Sequence, residues 1–596
     1  MANIMSNDRE WDLSPMVKGK SPQEVKELLH KTAQEFEEAV EGYAGELGDY
    51  SDKQLADAIR DLEELVLESS DLRNYCSMRY RANTKDKDSG MLYNVSQNVG
   101  SRIESARTVF EIRLGKVLDE TPELLESKEL ANYRHYLEKL KRRAPYRLSE
   151  TEEELVSMKD VNGIQTLQQL QQSWVSGKTF EIEVGGETKT VTLPELSSMR
   201  MSPDREIRKM ATKKLYNSYA DDDMIHGMAL RAICADHMKM TERRGMPSPM
   251  TQSLLDQDVD RSTIDTLLNT IEETAESFQD FLQLKAKAMD VKKLPGHDVI
   301  APWVTDPVWT FDWPEAKSIV IDAFDSFDDD LGSVVQSMFD DRRIDSENRV
   351  GKMNTAFCSS WPSASKSFVF LNYSKTLNDI YTLAHENGHA AQGHLVYENQ
   401  TPVNYSMSMC MAETGSIFGE LLLTEKILSM ADADKERYEI LSHVLNSYYY
   451  TVYYVGVRAF FEKSLYDAIN NGEVIDADLA CELWNKAKNR IFGDVVDWTQ
   501  YMEYEWARIP HFFFSNYRYY NYPYSFAQML VFAVYGDYQK GEPDFNSRFK
   551  QLLAAGGSKS PKEQIADFGY DLTKPKFWKL GSSQADRLLQ SFEEII

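Results

Sequence analysis

Asn378-Asp-Ile-Tyr-Thr-Leu-Ala-His385-Glu386-Asn387-Gly388-His389 decides how the rest of the chain reads. The apolar residues Ile380, Leu383 and Ala384 recur at helical spacing, so the stretch reads as a helix. Four residues along a helix turn about 400°, which leaves His385 and His389 roughly 40° apart on one face. Two imidazoles so placed can share one Zn²⁺. Glu386 lies about 100° further round. There it can take a proton from an attacking water without ligating the metal. With 10 His in 596 residues, chance supplies on the order of 0.01 such patterns.

A catalytic zinc takes a third protein ligand and keeps one position open. His394, Glu398, Glu413, Glu420 and Glu425 follow within reach. His394 arrives one residue too early for the extended H-E-x-x-H-x-x-G-x-x-H pattern and reads as a helix-end or loop histidine. Glu398 sits in a turn-like Tyr-Glu-Asn-Gln-Thr-Pro stretch. Glu413 is better placed, because it opens the helical pattern Ala412–Leu423, 24 residues past His389. A helix-loop-helix return of that length lays a second helix on the first. Glu420 falls about 20° from Glu413 on the wheel. It can accept the free ring N–H of a ligand histidine or serve as an ordinary surface ion pair.

A third cluster is His511 with Tyr517, Tyr519, Tyr520, Tyr522 and Tyr524 inside 14 residues. Neutral donors of this kind stabilise a developing oxyanion. Aromatic packing is the competing reading for most of them.

The rest of the chain is mostly helical in pattern. Ser21-Pro22-Gln-Glu24 carries an N-cap, a Pro at N1 and a Glu at N3. Helical spacing runs to a break near Arg143-Ala-Pro145. Residues 179–193 switch to a period of two around Gly185-Gly186, which predicts a β-hairpin. Ser367–Asn372 reads as a short strand just ahead of the motif helix. The expected organisation is an N-terminal helical region with the hairpin over 1–200 and a catalytic domain over 201–596.

The net charge of −28 argues against nucleic acid and anionic membranes as partners. The five Cys are scattered and contain no C-x-x-C, which fits a reducing cytosol. MANIMSNDREWDLS lacks the apolar stretch of a secretory leader. Ile440–Val457 is charge-free, but its tyrosines suit a buried helix better than a membrane span. Gly42-x-x-Gly45-x-x-Gly48 and Gly556-Gly-Ser-Lys559 both miss the phosphate-loop patterns.

Together, His-Glu-x-Gly-His-Ala at 385–390, Ala412-Glu-Thr-Gly-Ser with Glu420, Arg508-Ile-Pro-His-Phe and Tyr519-Tyr-Asn-Tyr-Pro-Tyr-Ser-Phe526 resemble the M3 metallopeptidases, closest to their oligoendopeptidase F branch. Trp11-Asp-Leu-Ser14, Gly351-Lys352, Ala356-Phe-Cys358 and Leu371-Asn-Tyr373 extend the resemblance along most of the chain. It implies a mainly α, two-lobed zincin-type peptidase with a deep central channel. The implied activity is zinc-dependent endopeptidase cleavage of short peptides, with an exopeptidase or an inactive peptide-binding protein as the alternatives.

The implied zinc ligands are His385, His389 and Glu413, one zinc per chain. Glu386 becomes the general base and acid, and Glu420 the acceptor behind a ligand histidine. His511, Tyr519 and Tyr522 become the groups that touch the peptide, with Tyr517 competing for one of the tyrosine roles. The strand at 367–372 becomes the edge to which an extended substrate adds. Asn387 and Gln392 depart from the family pattern, where a bulky apolar residue and a His are common.

Overall fold

A computed structural model describes residues 8–44 and 47–596. Residues 1–7 of the N-terminal stretch, and Gly45 of the glycine run, lie outside them. The chain divides into two compact units, each assembled from three segments.

The first unit comprises Met1–Ala144, Trp309–Asp432 and Val534–Asp571. Three long helices, Pro22–Ala44, Asp52–Ala82 and Lys87–Glu120, pack on one another through residues such as Leu29, Phe36, Ile59 and Leu92. The predicted cap is present: Ser21 N–H donates to Glu24 Oε2 at 2.8 Å, and Glu24 N–H donates back to Ser21 Oγ at 3.4 Å. A helix ends at Arg143, one residue before the unit's first segment ends at Ala144.

A three-stranded sheet completes this core. Its order is Ile344–Asp345, then Lys366–Phe370, then Phe357–Trp361. The first pair is parallel and the second antiparallel. Trp11 closes one face of the sheet against Phe357, Phe368 and Phe370. The strand expected at 367–372 is therefore present but central. The edge position passes to Phe357–Trp361, because the two-residue strand Ile344–Asp345 covers the other side.

The second unit comprises Pro145–Val308, Ala433–Ala533 and Leu572–Ile596. The predicted hairpin is Thr179–Val184 with Glu187–Thr192. Val184 pairs with Glu187 across Gly185 and Gly186, whose φ values of +64° and +82° are what a two-residue hairpin turn demands. The tyrosine-rich 440–457 stretch is a helix to Tyr449, one π-helical turn at Tyr450–Tyr454, and a new helix from Val455. Tyr448 and Tyr449 are fully buried. No helix among the described residues is long and apolar enough to cross a membrane.

His226 sits in this unit's core at 0% exposure, edge-on to Trp174 with ring centroids 4.5 Å apart. Neither ring nitrogen has a partner. Burial pushes it from 6.5 down to about 4. The unfolded chain therefore takes up a proton that the folded chain refuses. This stability is whole above pH 6.5 and is lost as pH falls towards 4, by about 3 kcal/mol. His226→Phe is expected to flatten the fall in urea midpoint between pH 7.5 and 4.5. An unchanged fall would show that other groups carry the acid sensitivity.

Candidate metal centre

The motif helix spans Leu377–Asn399. Thr376 caps it and shares a capping box with Asp379. The return helix, Thr414–Met430, begins directly after Glu413. The two cross in near backbone contact through small residues. A Cβ built on Gly388 would lie 2.4 Å from Gly415 O, and one on Gly415 would lie 2.7 Å from Gly388 O. One turn on, a Cβ on Gly419 would lie 3.1 Å from Ala384 O. Only glycine permits this approach at Gly388 and Gly415.

The crossing brings the three expected ligands together. His385 and His389 lie one turn apart, with ring centroids at 4.8 Å. Their Nε2 atoms stand 3.4 and 3.3 Å from the same Glu413 Oε2. All three ligand atoms fall within 4.8 Å of one another. Ligands about 2.0–2.2 Å from a tetrahedral zinc are separated by about 3.3–3.6 Å, so the donor set fits that ion. On the far side of His385, Nδ1 lies 2.6 Å from Glu420 Oε1, which fixes the ring so that Nε2 faces Glu413.

Electrostatics agree with the geometry. Burial works against charge on His385, yet its hydrogen bonds to the Glu413 and Glu420 carboxylates outweigh it and raise the imidazole well above its ordinary value. Burial likewise opposes ionisation of Glu413, and the two histidines overcome it. The potential that draws a proton onto the His385 ring also draws a divalent cation. Glu386 is buried, and burial pushes its carboxyl up. That is the direction which readies a carboxylate to hold a proton in mid-reaction.

Two side chains position Glu413: Gln392, which the spacing does not reveal, and Ser416, which the helical wheel places on the Glu413 face. The Gln392 side-chain amide donates to Met411 O at 3.2 Å, and its carbonyl oxygen accepts from Gly415 N–H at 3.0 Å. It thereby grips the backbone on both sides of Glu413. Ser416 Oγ donates to Glu413 Oε2 at 2.7 Å. Asn387 Nδ2 donates to Leu383 O, within its own helix. His394 turns away to Ser365 O, 3.1 Å from its Nδ1, and takes no part in the donor set.

In the second unit, His511 lies in a short turn, Pro510–Phe513. Burial, with Arg458 nearby, pushes it down to about 4, so the ring is neutral at neutral pH. The tyrosines beside it are Tyr520 and Tyr524, with centroids 5.7 and 6.1 Å away. Tyr519 and Tyr522, the residues the sequence singled out, are 4% and 1% exposed. Tyr519 stacks on Tyr466, and the Tyr522 hydroxyl pairs with Ser253 Oγ at 3.1 Å. Tyr517 points outward at 56% exposure.

A buried ion pair, Arg518 with Glu462 at 3.0 Å, holds this segment at two points. Arg518 donates to Phe512 O at 2.8 Å, and Glu462 accepts from Tyr519 N–H at 2.9 Å.

Residues 321–582 match the family profile described as "Peptidase family M3", and residues 119–175 match "Oligopeptidase F". Oligopeptidase PepF of Bacillus subtilis (strain 168) is 24% identical over 602 residues, covering 100% of this chain and 87% of its own length. Oligoendopeptidase F (plasmid) of Lactococcus lactis subsp. cremoris is 26% identical over 483 residues, covering 79% and 78%. The crystal structure of oligoendopeptidase-F from Enterococcus faecium superposes with a TM-score of 0.71 at 20% identity, covering 96% of this chain and 99% of that one.

Proposed function

Because this chain belongs to peptidase family M3, as a metallo-oligopeptidase of its oligopeptidase F branch, we propose that one zinc ion held by His385, His389 and Glu413 serves the cleavage of internal bonds in short peptides. The carrying observation is the convergence of both Nε2 atoms on a single Glu413 oxygen at 3.3–3.4 Å. Zinc bound there would supply Lewis acidity towards water and the scissile carbonyl. Glu386 accepts the proton of the attacking water and hands it to the departing amine. Glu420 orients His385. Gln392 holds the turn that presents Glu413.

His511 enters the reading as a neutral N–H donor to a peptide carbonyl, with Tyr520 and Tyr524 as the hydroxyls beside it. Burial of Tyr519 and Tyr522 argues for structural duty at those two positions. The five free cysteines accord with a reducing cytosol as the place of action.

Purified without chelator, the protein is expected to carry one equivalent of zinc. Chelation is expected to cut hydrolysis of an internally quenched nonapeptide at least 100-fold, the scale on which losing a catalytic electrostatic group acts. Zinc is expected to restore it. Mass spectrometry should find two complementary fragments, one N-terminal and one C-terminal, from a cut at an internal bond. Stepwise release of single terminal residues would reverse the endopeptidase assignment, and full activity in chelator would remove the metal.

A further inference from the structure

The free edge of the three-stranded sheet ends abruptly, and the cause is a side chain. On the central strand, Val369 N–H donates to Arg343 O and Leu371 N–H to Asp345 O. Those residues therefore face the two-residue strand, whereas Phe368 and Phe370 face Phe357–Trp361. In the antiparallel register, Ser359 opposite Phe368 and Phe357 opposite Phe370 spend their backbone groups inward. Cys358 and Ser360 consequently turn theirs outward. Phe357–Trp361 packs directly on the motif helix Leu377–Asn399, which places this edge beside the metal centre.

The two outward residues differ. No hydrogen bond engages the outward backbone groups of Cys358 among the described residues. At Ser360 the carbonyl is taken: Asn74 Nδ2 donates to Ser360 O at 2.8 Å and to Ser360 Oγ at 3.1 Å. Asn74 belongs to the helix Asp52–Ala82. One turn earlier on that helix, the buried Asp71 accepts from Ser363 Oγ. Residues i and i+3 of one helix face thus clamp the strand where it leaves the sheet, in the space a further strand would need.

We propose that Asn74 is a specificity-determining stop for the substrate strand. The stop rests on moving the substrate edge that the resemblance implies from 367–372 to the free edge Phe357–Trp361; a bound peptide there makes a two-bond rung with Cys358. It finds no rung at Ser360, so residues beyond that point contribute nothing to binding.

The test is a scan of single backbone N-methylations along an internally quenched 12-residue peptide, read as kcat/KM. In the wild-type protein, the penalty is expected at the amide opposite Cys358 and not at the position two residues on towards Ser360. Asn74→Ala is expected to create a penalty at that second position. It should also raise the ratio of kcat/KM for a peptide one residue longer on that side to that of the shorter one, by roughly 2- to 10-fold, the worth of an exchanged backbone hydrogen bond. Each variant's shorter peptide is its own reference, so a general loss of activity cancels.

Should Asn74→Ala fold poorly, Asn74→Leu keeps the bulk without the donor and is expected to keep the wild-type ratio. A wild-type penalty already present at both positions overturns the stop while leaving strand addition intact. Absence of any N-methyl penalty overturns strand addition and the stop together, while leaving the zinc chemistry untouched.

Discussion

Glu386→Gln is expected to lower kcat by about 10²–10⁴-fold with zinc still bound at one per chain. Glutamine matches the shape of the glutamate and cannot take up a proton. His385, His389 and Glu413 form the donor set without Glu386, so metal content gives an independent check that the site survives. Because the lost interaction belongs to proton transfer, kcat and kcat/KM should fall together. Parallel measurement of zinc by elemental mass spectrometry and of peptide turnover separates the outcomes. Full activity with zinc bound would refute the role given to Glu386. Loss of zinc would show that the residue supports the metal instead.

Gly388→Val is expected to abolish zinc binding and to destabilise the protein by about 3 kcal/mol or more. A Cβ there meets Gly415 O at 2.4 Å and Ser416 Cα at 2.6 Å. Both are backbone atoms of the facing helix, so no rotamer change relieves the clash. The helices must separate, which carries Glu413 away from both imidazoles. Overpacking of this kind costs about 1–3 kcal/mol where side chains can yield, and here they cannot.

Gly42 supplies the contrast. It lies in the helix Pro22–Ala44, and a Cβ on it meets nothing within 4 Å. Gly42→Ala is expected to stabilise by about 0.5–1 kcal/mol through helix propensity alone. Thermal melts with and without chelator measure both effects. Unaltered zinc affinity in Gly388→Val would mean that the crossing does not set the ligand geometry.

The parts of the centre that sequence reading reached share one property: they are local. His385, Glu386 and His389 follow from helical arithmetic. The approach of Glu413 and Glu420 needed only a short return and the same wheel. The β-hairpin was legible because Gly185-Gly186 marks its turn. What escaped depends on pairing over distance or on irregular backbone. Ile344–Asp345 is too short to signal a strand, yet it makes Lys366–Phe370 central and moves the free edge to Phe357–Trp361.

Tyr519 and Tyr522 rest on the family resemblance alone, and Tyr519 takes φ +54° in a non-helical segment. No periodicity survives there to say which ring turns towards His511. Gln392 differs again: its role depends on the backbone of residues 411–415, which no local pattern reports.

The three-segment build of the first unit has a temporal consequence. A ribosome releases the motif and return helices well before it makes Val534–Asp571. Phe545–Ala554, in that last segment, packs on the motif helix, and Gly556 sits so close that a Cβ would touch Val396 and Asn404 O. About 140 residues separate the end of the return helix from the end of the unit. At about 5–20 residues per second, roughly 7–28 s pass during which a ligand triad exists in sequence but lacks its packing. The ligand triad is thus made before the segment that packs on its helix, and the centre gains that packing only once Val534–Asp571 has emerged.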